Sequence, residues 1–145
     1  NLQVVVSGLK KDINLLSDDL NNKKIKYLNL NVSAPFHCKY MKTASKKMIS
    51  YINDLKMNEL EKPIISNVTA NETSSLKEIK SLLISQIEKK VRWLESVEYM
   101  INNGVKNFVE IGPGKVLTGL IKRINKNVNV SSINSEEDIK LLIND

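Results

Sequence analysis

The sequence is poor in the residues that build cross-links and metal centres. It holds one cysteine, Cys38, and one histidine, His37, in 145 residues. That excludes a disulfide scaffold and a cysteine-rich zinc module, fits a reducing compartment, and leaves no closed set of metal ligands. A lone thiol assigns no redox role. No apolar run approaches the roughly 20 residues of a membrane span, and no secretory signal is visible, so the expected setting is cytoplasmic, or organellar in a plastid-bearing eukaryote. Arginine is also scarce: only Arg92 and Arg123 stand among 22 cationic side chains. The formal net charge of +6 is therefore carried by lysine. Lysine, asparagine and isoleucine together are what an AT-rich coding sequence produces. Base readers favour arginine for bidentate contacts, so nucleic acid is not an expected partner. A general anion-binding module would rest on charge alone and would show affinity falling steeply with salt.

What is present is 41% hydrophobic and 26% charged, enough for a globular core. Apolar spacing alternates between two periods. Residues 3–7 read as a strand closed by Gly8, residues 11–20 as a helix through Ile13, Leu16 and Leu20, and residues 25–32 as a second strand ended by Ser33-Ala34-Pro35. Residues 40–55 place Met41, Ala44, Met48, Ile52 and Leu55 on one helical face. Residues 63–68 form a short strand, and Ser75 with Glu78 has the spacing of a capping box opening a helix to about Lys89. A helix over 91–103 stops at Asn102-Asn103-Gly104. Then follow a strand at 108–111, a tight Gly112-Pro113-Gly114 turn, a helix over 116–124, an extended stretch over 128–133 and a helix over 136–143. This alternation predicts an α/β class with some parallel strands.

Gly112-Pro113-Gly114-Lys115 between strand and helix invites a phosphate-loop reading. The spacing fails: Val116 stands where Ser or Thr is needed, and Leu117 where a dinucleotide fingerprint needs its third glycine. A tight structural turn is the simpler account. The pairs Asp18-Asp19 and Glu136-Glu137 fall on polar faces and read as solvated. His37 lies in a proline-containing loop between strand and helix, a position open to a structural or a general-base role. A base needs a nucleophile, and the Gly-x-Ser-x-Gly elbow is absent from this sequence.

Four segments read in order carry a resemblance: Gln3-Val4-Val5-Val6-Ser7-Gly8; Ser33-Ala34-Pro35-Phe36-His37-Cys38 with Met41; Ser96-Val97-Glu98-Tyr99-Met100; and Glu110-Ile111-Gly112-Pro113-Gly114-Lys115-Val116-Leu117-Thr118-Gly119-Leu120. The Pro-apolar-apolar-x-Asn-Val pattern within residues 63–69, and Gln86 followed by Val91-Arg92-Trp93, fit as well. Together they resemble the C-terminal half of the bacterial-type malonyl-CoA:acyl carrier protein transacylase family, over essentially the whole chain. The resemblance implies ping-pong acyl transfer through an acyl-serine, with the coenzyme A thioester as substrate, acyl carrier protein as acceptor and no further cofactor. It implies that His37 is the general base and that the main-chain carbonyl of Gln86 orients it. Phe36 matches an aromatic associated with malonyl selectivity, although a phenylalanine beside a proline also serves simple packing.

The family's nucleophilic serine, oxyanion glutamine and carboxylate-binding arginine precede the matching region, and none maps onto a residue here; neither Arg92 nor Arg123 is that arginine. The chain also starts without Met inside an apolar run, which reads as a piece of something longer, completed by the N-terminal half of the same enzyme. The resemblance implies that residues 1–31 are the second half of a ferredoxin-like small subdomain. Residues 32–145 would be the C-terminal part of a hydrolase-like α/β acyltransferase subdomain. Alone, the chain is expected to be inactive. The alternatives are a non-catalytic remnant or carrier-protein docking module, and a fragment of a polyketide synthase acyltransferase domain.

Overall fold

The computed structural model describes residues 3–144, and their side chains as far as 141. Asn1, Leu2 and Asp145, the outer ends of the two expected subdomains, lie outside the described residues. The helices are α1 (Lys10–Asn22), α2 (Lys42–Asp54), α3 (Leu76–Ser85), α4 (Trp93–Asn102), α5 (Val116–Ile124) and α6 (Glu136–Asn144). The strands are β1 (Ile64–Ile65), β2 (Glu72–Thr73), β3 (Asn107–Ile111) and β4 (Asn129–Ile133). The described chain divides into two compact units at Arg92 and Trp93.

The later unit is a β-α-β crossover. β3 and β4 pair in parallel, from Asn107 opposite Asn129 to Ile111 opposite Ile133. Parallel neighbours need a crossover, and α5 supplies it. Val97 of α4, Phe108 of β3, Ile121 of α5 and Val128 form the buried core, with Trp93, Met100, Ile101, Val105, Ile124 and Val130 packed around them. α4 ends as the Asn-Asn-Gly sequence requires. Gly104 takes φ 90°, its amide donates to the Ile101 carbonyl at 3.0 Å, and the Val105 amide donates to Met100 at 3.0 Å. That pair of bonds is a Schellman stop, which a side chain at the glycine would strain.

In the earlier unit α2 packs against α3, burying Ile52 and Ile79. Lys80 of α3 donates to the Asn53 carbonyl at 2.6 Å and the Leu55 carbonyl at 2.7 Å, satisfying the open end of α2. β1 and β2 form a small antiparallel hairpin. Ser75 caps α3 by accepting from the Glu78 amide at 3.4 Å. The return half of the capping box is not made, because the Glu78 carboxylate takes the Thr73 hydroxyl at 2.6 Å.

Several expected elements differ. Residues 3–7 and 25–32 belong to no strand among the described residues, since a strand exists only where a neighbour completes its ladder. The expected strand over 63–68 shortens to β1, and β2 is its unanticipated partner. The helix expected from Tyr40 begins instead with a 3-10 turn, Lys39–Met41. The helix expected to reach Lys89 ends at Ser85, where the chain turns away through Gln86.

Those unpaired stretches are apolar and open: Val4 is 80% exposed and Leu28 84%, and in the other unit Ile111 is 81% exposed. Isolated, the chain is expected to self-associate and to bind an apolar dye such as ANS. A monodisperse monomer by sedimentation, with no dye binding, would contradict this.

Candidate active site

The loop before α2 is wound tightly around Pro35. The Phe36 amide donates to the Ala34 carbonyl at 2.9 Å, the Cys38 thiol to the Pro35 carbonyl at 3.1 Å, and the Ser7 hydroxyl to the Phe36 carbonyl at 2.6 Å. Within this turn His37 sits at φ 60°, the left-handed region that costs a side-chain-bearing residue on the order of 1 kcal/mol. Its imidazole Nδ1 lies 2.8 Å from the carbonyl oxygen of Gln86, 49 residues away. A carbonyl can only accept. The bond therefore requires hydrogen on Nδ1, so that in the neutral ring the lone pair falls on Nε2, the nitrogen left to take a proton.

Gln86 can offer that carbonyl because of where α3 stops. Its amide donates to Leu82 at 2.9 Å, while the last carbonyls of a helix have no partner within it and carry the negative end of the helix dipole. That polarity complements the positive charge an imidazole acquires on accepting a proton. The structure thus brings together His37 and Gln86, the two residues singled out as base and orienting carbonyl. Phe36 is adjacent in sequence and 46% exposed, so its ring is not consumed in core packing.

Asn67 and Arg92 carry no expected role at the site. The Asn67 side-chain Nδ2 donates to the Gln86 side-chain oxygen at 3.4 Å, the Arg92 main-chain amide to the Asn67 main-chain carbonyl at 2.9 Å, and the Arg92 guanidinium to the Thr69 carbonyl at 2.8 Å. Their only signal was membership of the Asn-Val and Val-Arg-Trp segments. Among the described residues no three His, Cys, Asp or Glu side chains gather as a metal site, and no helix is long and apolar enough to cross a membrane.

The Gly-Pro-Gly turn has an internal occupant at its helix. Gly112 (φ 136°) and Gly114 (φ 95°) bend the chain. The Gly112 amide then reaches the Ile133 carbonyl at 3.0 Å, and Gly114 reaches the Asn134 side-chain oxygen at 2.6 Å. The Glu110 carboxylate accepts from the Leu117 amide at 3.0 Å and the Thr118 amide at 2.7 Å. The first turn of α5 is thus filled by a carboxylate of the chain itself, in the place an anionic ligand would take.

No protein-family profile matches the chain. It is 40% identical over 141 residues to the malonyl CoA-acyl carrier protein transacylase of Staphylococcus aureus strain COL, covering 95% of this chain and 45% of that one. It is 37% identical over 142 residues to the protein of that name from Bacillus subtilis strain 168, covering 97% and 45%. Among solved structures, a malonyl-transacylase in complex with a type II PKS acyl-carrier protein superposes with a TM-score of 0.85 at 33% identity, covering 95% of this chain and 45% of that one. The chain therefore spans a little under half the length of the curated relatives it matches.

The Glu110 cap has a pH signature. Chiefly the Thr118 amide holds its carboxyl below the 4.5 usual for glutamate; desolvation, the next influence, opposes it, and the Thr118 hydroxyl and the Leu117 and Val116 amides add to the lowering. A folded-state pKa below the unfolded one gives stability that is complete above the unfolded value and is lost as pH falls through the folded one. Glu110→Gln is therefore expected to lower the melting temperature of the unit around α5 most near neutral pH. The gap should narrow below about 4.5 and close in stronger acid. A gap that stays constant across that range would contradict the assignment.

Proposed function

Since the chain belongs to the malonyl CoA-acyl carrier protein transacylase family, we propose that it carries the general base of such an enzyme and acts with a serine nucleophile held by the rest of the protein. The observation that carries the reading is the 2.8 Å contact between His37 Nδ1 and the Gln86 carbonyl, which presents Nε2 as a proton acceptor. In the first half-reaction Nε2 takes the serine proton while the hydroxyl oxygen attacks the malonyl thioester carbonyl. Collapse of the tetrahedral adduct breaks the carbon–sulfur bond, and the leaving coenzyme A thiolate takes that proton from Nε2. The second half-reaction runs the same steps in reverse, with the phosphopantetheine thiol of acyl carrier protein as attacking group. The relative solved together with an acyl-carrier protein supports that acceptor.

Residues 1–31 are proposed to belong to the ferredoxin-like subdomain and residues 32–145 to the larger α/β part. The open apolar stretches at residues 3–7 and 25–32 support this, since they are what strands look like when their neighbours lie elsewhere. Phe36, exposed and next to the base, is proposed to shape the acyl slot toward malonyl.

In the complete enzyme, His37→Ala is expected to slow acyl-serine formation from malonyl-CoA by about 10²- to 10⁴-fold, the usual contribution of a general base. Gln86→Ala keeps the main-chain carbonyl and is expected to retain activity within a few-fold. Acyl-serine formation at the normal rate in His37→Ala would overturn the reading. The 145-residue chain alone, incubated with labelled malonyl-CoA, should take up no covalent label.

A further inference from the structure

We infer that Arg92 is a positioning residue for His37, acting through the segment that carries the Gln86 carbonyl; this rests on the reading of His37 as general base. Residues 86–92 leave α3 and have two anchors. At the near end the amides of Gln86, Ile87, Glu88 and Lys89 bond back to carbonyls of Leu82, Ile84 and Ser85. At the far end the anchor is Arg92, whose amide and guanidinium grip Asn67 and Thr69. A guanidinium on a carbonyl is a charge-assisted bond from a planar donor with fixed geometry, so it sets both distance and angle.

The surface it grips is rigid. Residues 66–71 are the loop of the β1–β2 hairpin, closed by the Ala70 amide on the Ser66 carbonyl at 2.8 Å and the Ser66 amide on the Asn71 carbonyl at 3.0 Å. The Ser66 hydroxyl also accepts from the Val68 amide at 3.1 Å. Ser66 and Ala70 are buried, and Ala70 takes φ 57° to complete the turn. Asn67 touches both ends of the segment: its side chain reaches Gln86 and its carbonyl receives Arg92. The hairpin loop is thus a splint, and Arg92 is its fastening. The bond between Asn67 and the Gln86 side chain is long at 3.4 Å, so the splint does not depend on that side chain. It depends on Arg92. Without the guanidinium the Gln86 peptide can tilt, the Nδ1–H tautomer loses its acceptor, and Nε2 is no longer held ready.

The test is a graded series, Arg92→Lys, Arg92→Gln, Arg92→Met and Arg92→Ala, in the complete enzyme, with His37→Ala as reference. Two quantities are read for every variant that keeps the wild-type circular dichroism spectrum. One is steady-state malonyl transfer. The other is the tautomer of the His37 imidazole by ¹⁵N NMR, its signal assigned by disappearance in His37→Asn. Arg92→Ala is expected to lower kcat by about 10- to 100-fold, the scale of a misplaced reacting group, with KM for malonyl-CoA within about 2-fold. Across the folded variants kcat should follow the fraction of Nδ1–H tautomer, with Arg92→Lys nearest the wild type. The inference is overturned if no folded variant changes kcat, if only KM changes, or if kcat falls while the tautomer stays. Those results, together with an inactive His37→Ala, leave the general-base reading standing; an active His37→Ala removes both.

Discussion

One hydrogen bond organises the candidate site: His37 Nδ1 to the Gln86 carbonyl, 2.8 Å long. It joins a loop that precedes one helix to the terminus that ends another. Each partner is presented by a backbone constraint rather than by a flexible side chain. His37 is thrown outward by a left-handed residue in a turn closed by three neighbouring hydrogen bonds. Gln86 is exposed to it because α3 stops one residue earlier and leaves a carbonyl without a partner. A carboxylate could orient the imidazole too, but it would bring a charge to be solvated. A helix-terminal carbonyl supplies acceptor and polarity with no titration of its own.

The same principle, helix ends satisfied by groups chosen to fit, recurs across the two units. Lys80 closes the carbonyl end of α2, Glu110 closes the amide end of α5, and the Ser135 hydroxyl with the Asp138 carboxylate forms a reciprocal cap on α6. At the Asp138 carboxyl the Asn134 amide is the largest influence, and it lowers the pKa. Where a terminus is left for another purpose, as at Gln86, the histidine takes it. The glycine-rich turn before α5 resembles an anion cradle in sequence yet is filled by Glu110, so its chemistry is turned inward to stability.

What could be read from the sequence divides along local and non-local lines. α5 begins and ends where the 116–124 pattern places it, and the Asn-Asn-Gly stop of α4 forms the expected motif, because caps and periodicity are written within a few residues of themselves. Ser75 was legible as a cap. Its expected partner Glu78 was drawn off by Thr73, which no spacing rule reveals. The stretches 3–7 and 25–32 have strand composition but no strand, since pairing is a property of two segments and the second was not visible in either. The pairing of His37 with Gln86 came from resemblance to a family; 49 intervening residues carry no periodicity that would have given it. Arg92 lay in a quoted motif, but its purchase on Thr69 depends on a hairpin whose second strand was unforeseen.

The central claim is that the His37 imidazole moves the proton in acyl transfer. It is tested most directly by chemical rescue: the rate of acyl-serine formation in the complete His37→Ala enzyme, measured against increasing concentrations of free imidazole. The account predicts a rate that rises with imidazole and with the fraction of it that is unprotonated, because the cavity left by the side chain admits a replacement base. A folded His37→Ala enzyme that bound malonyl-CoA normally, yet showed no dependence on imidazole at any pH, would contradict it.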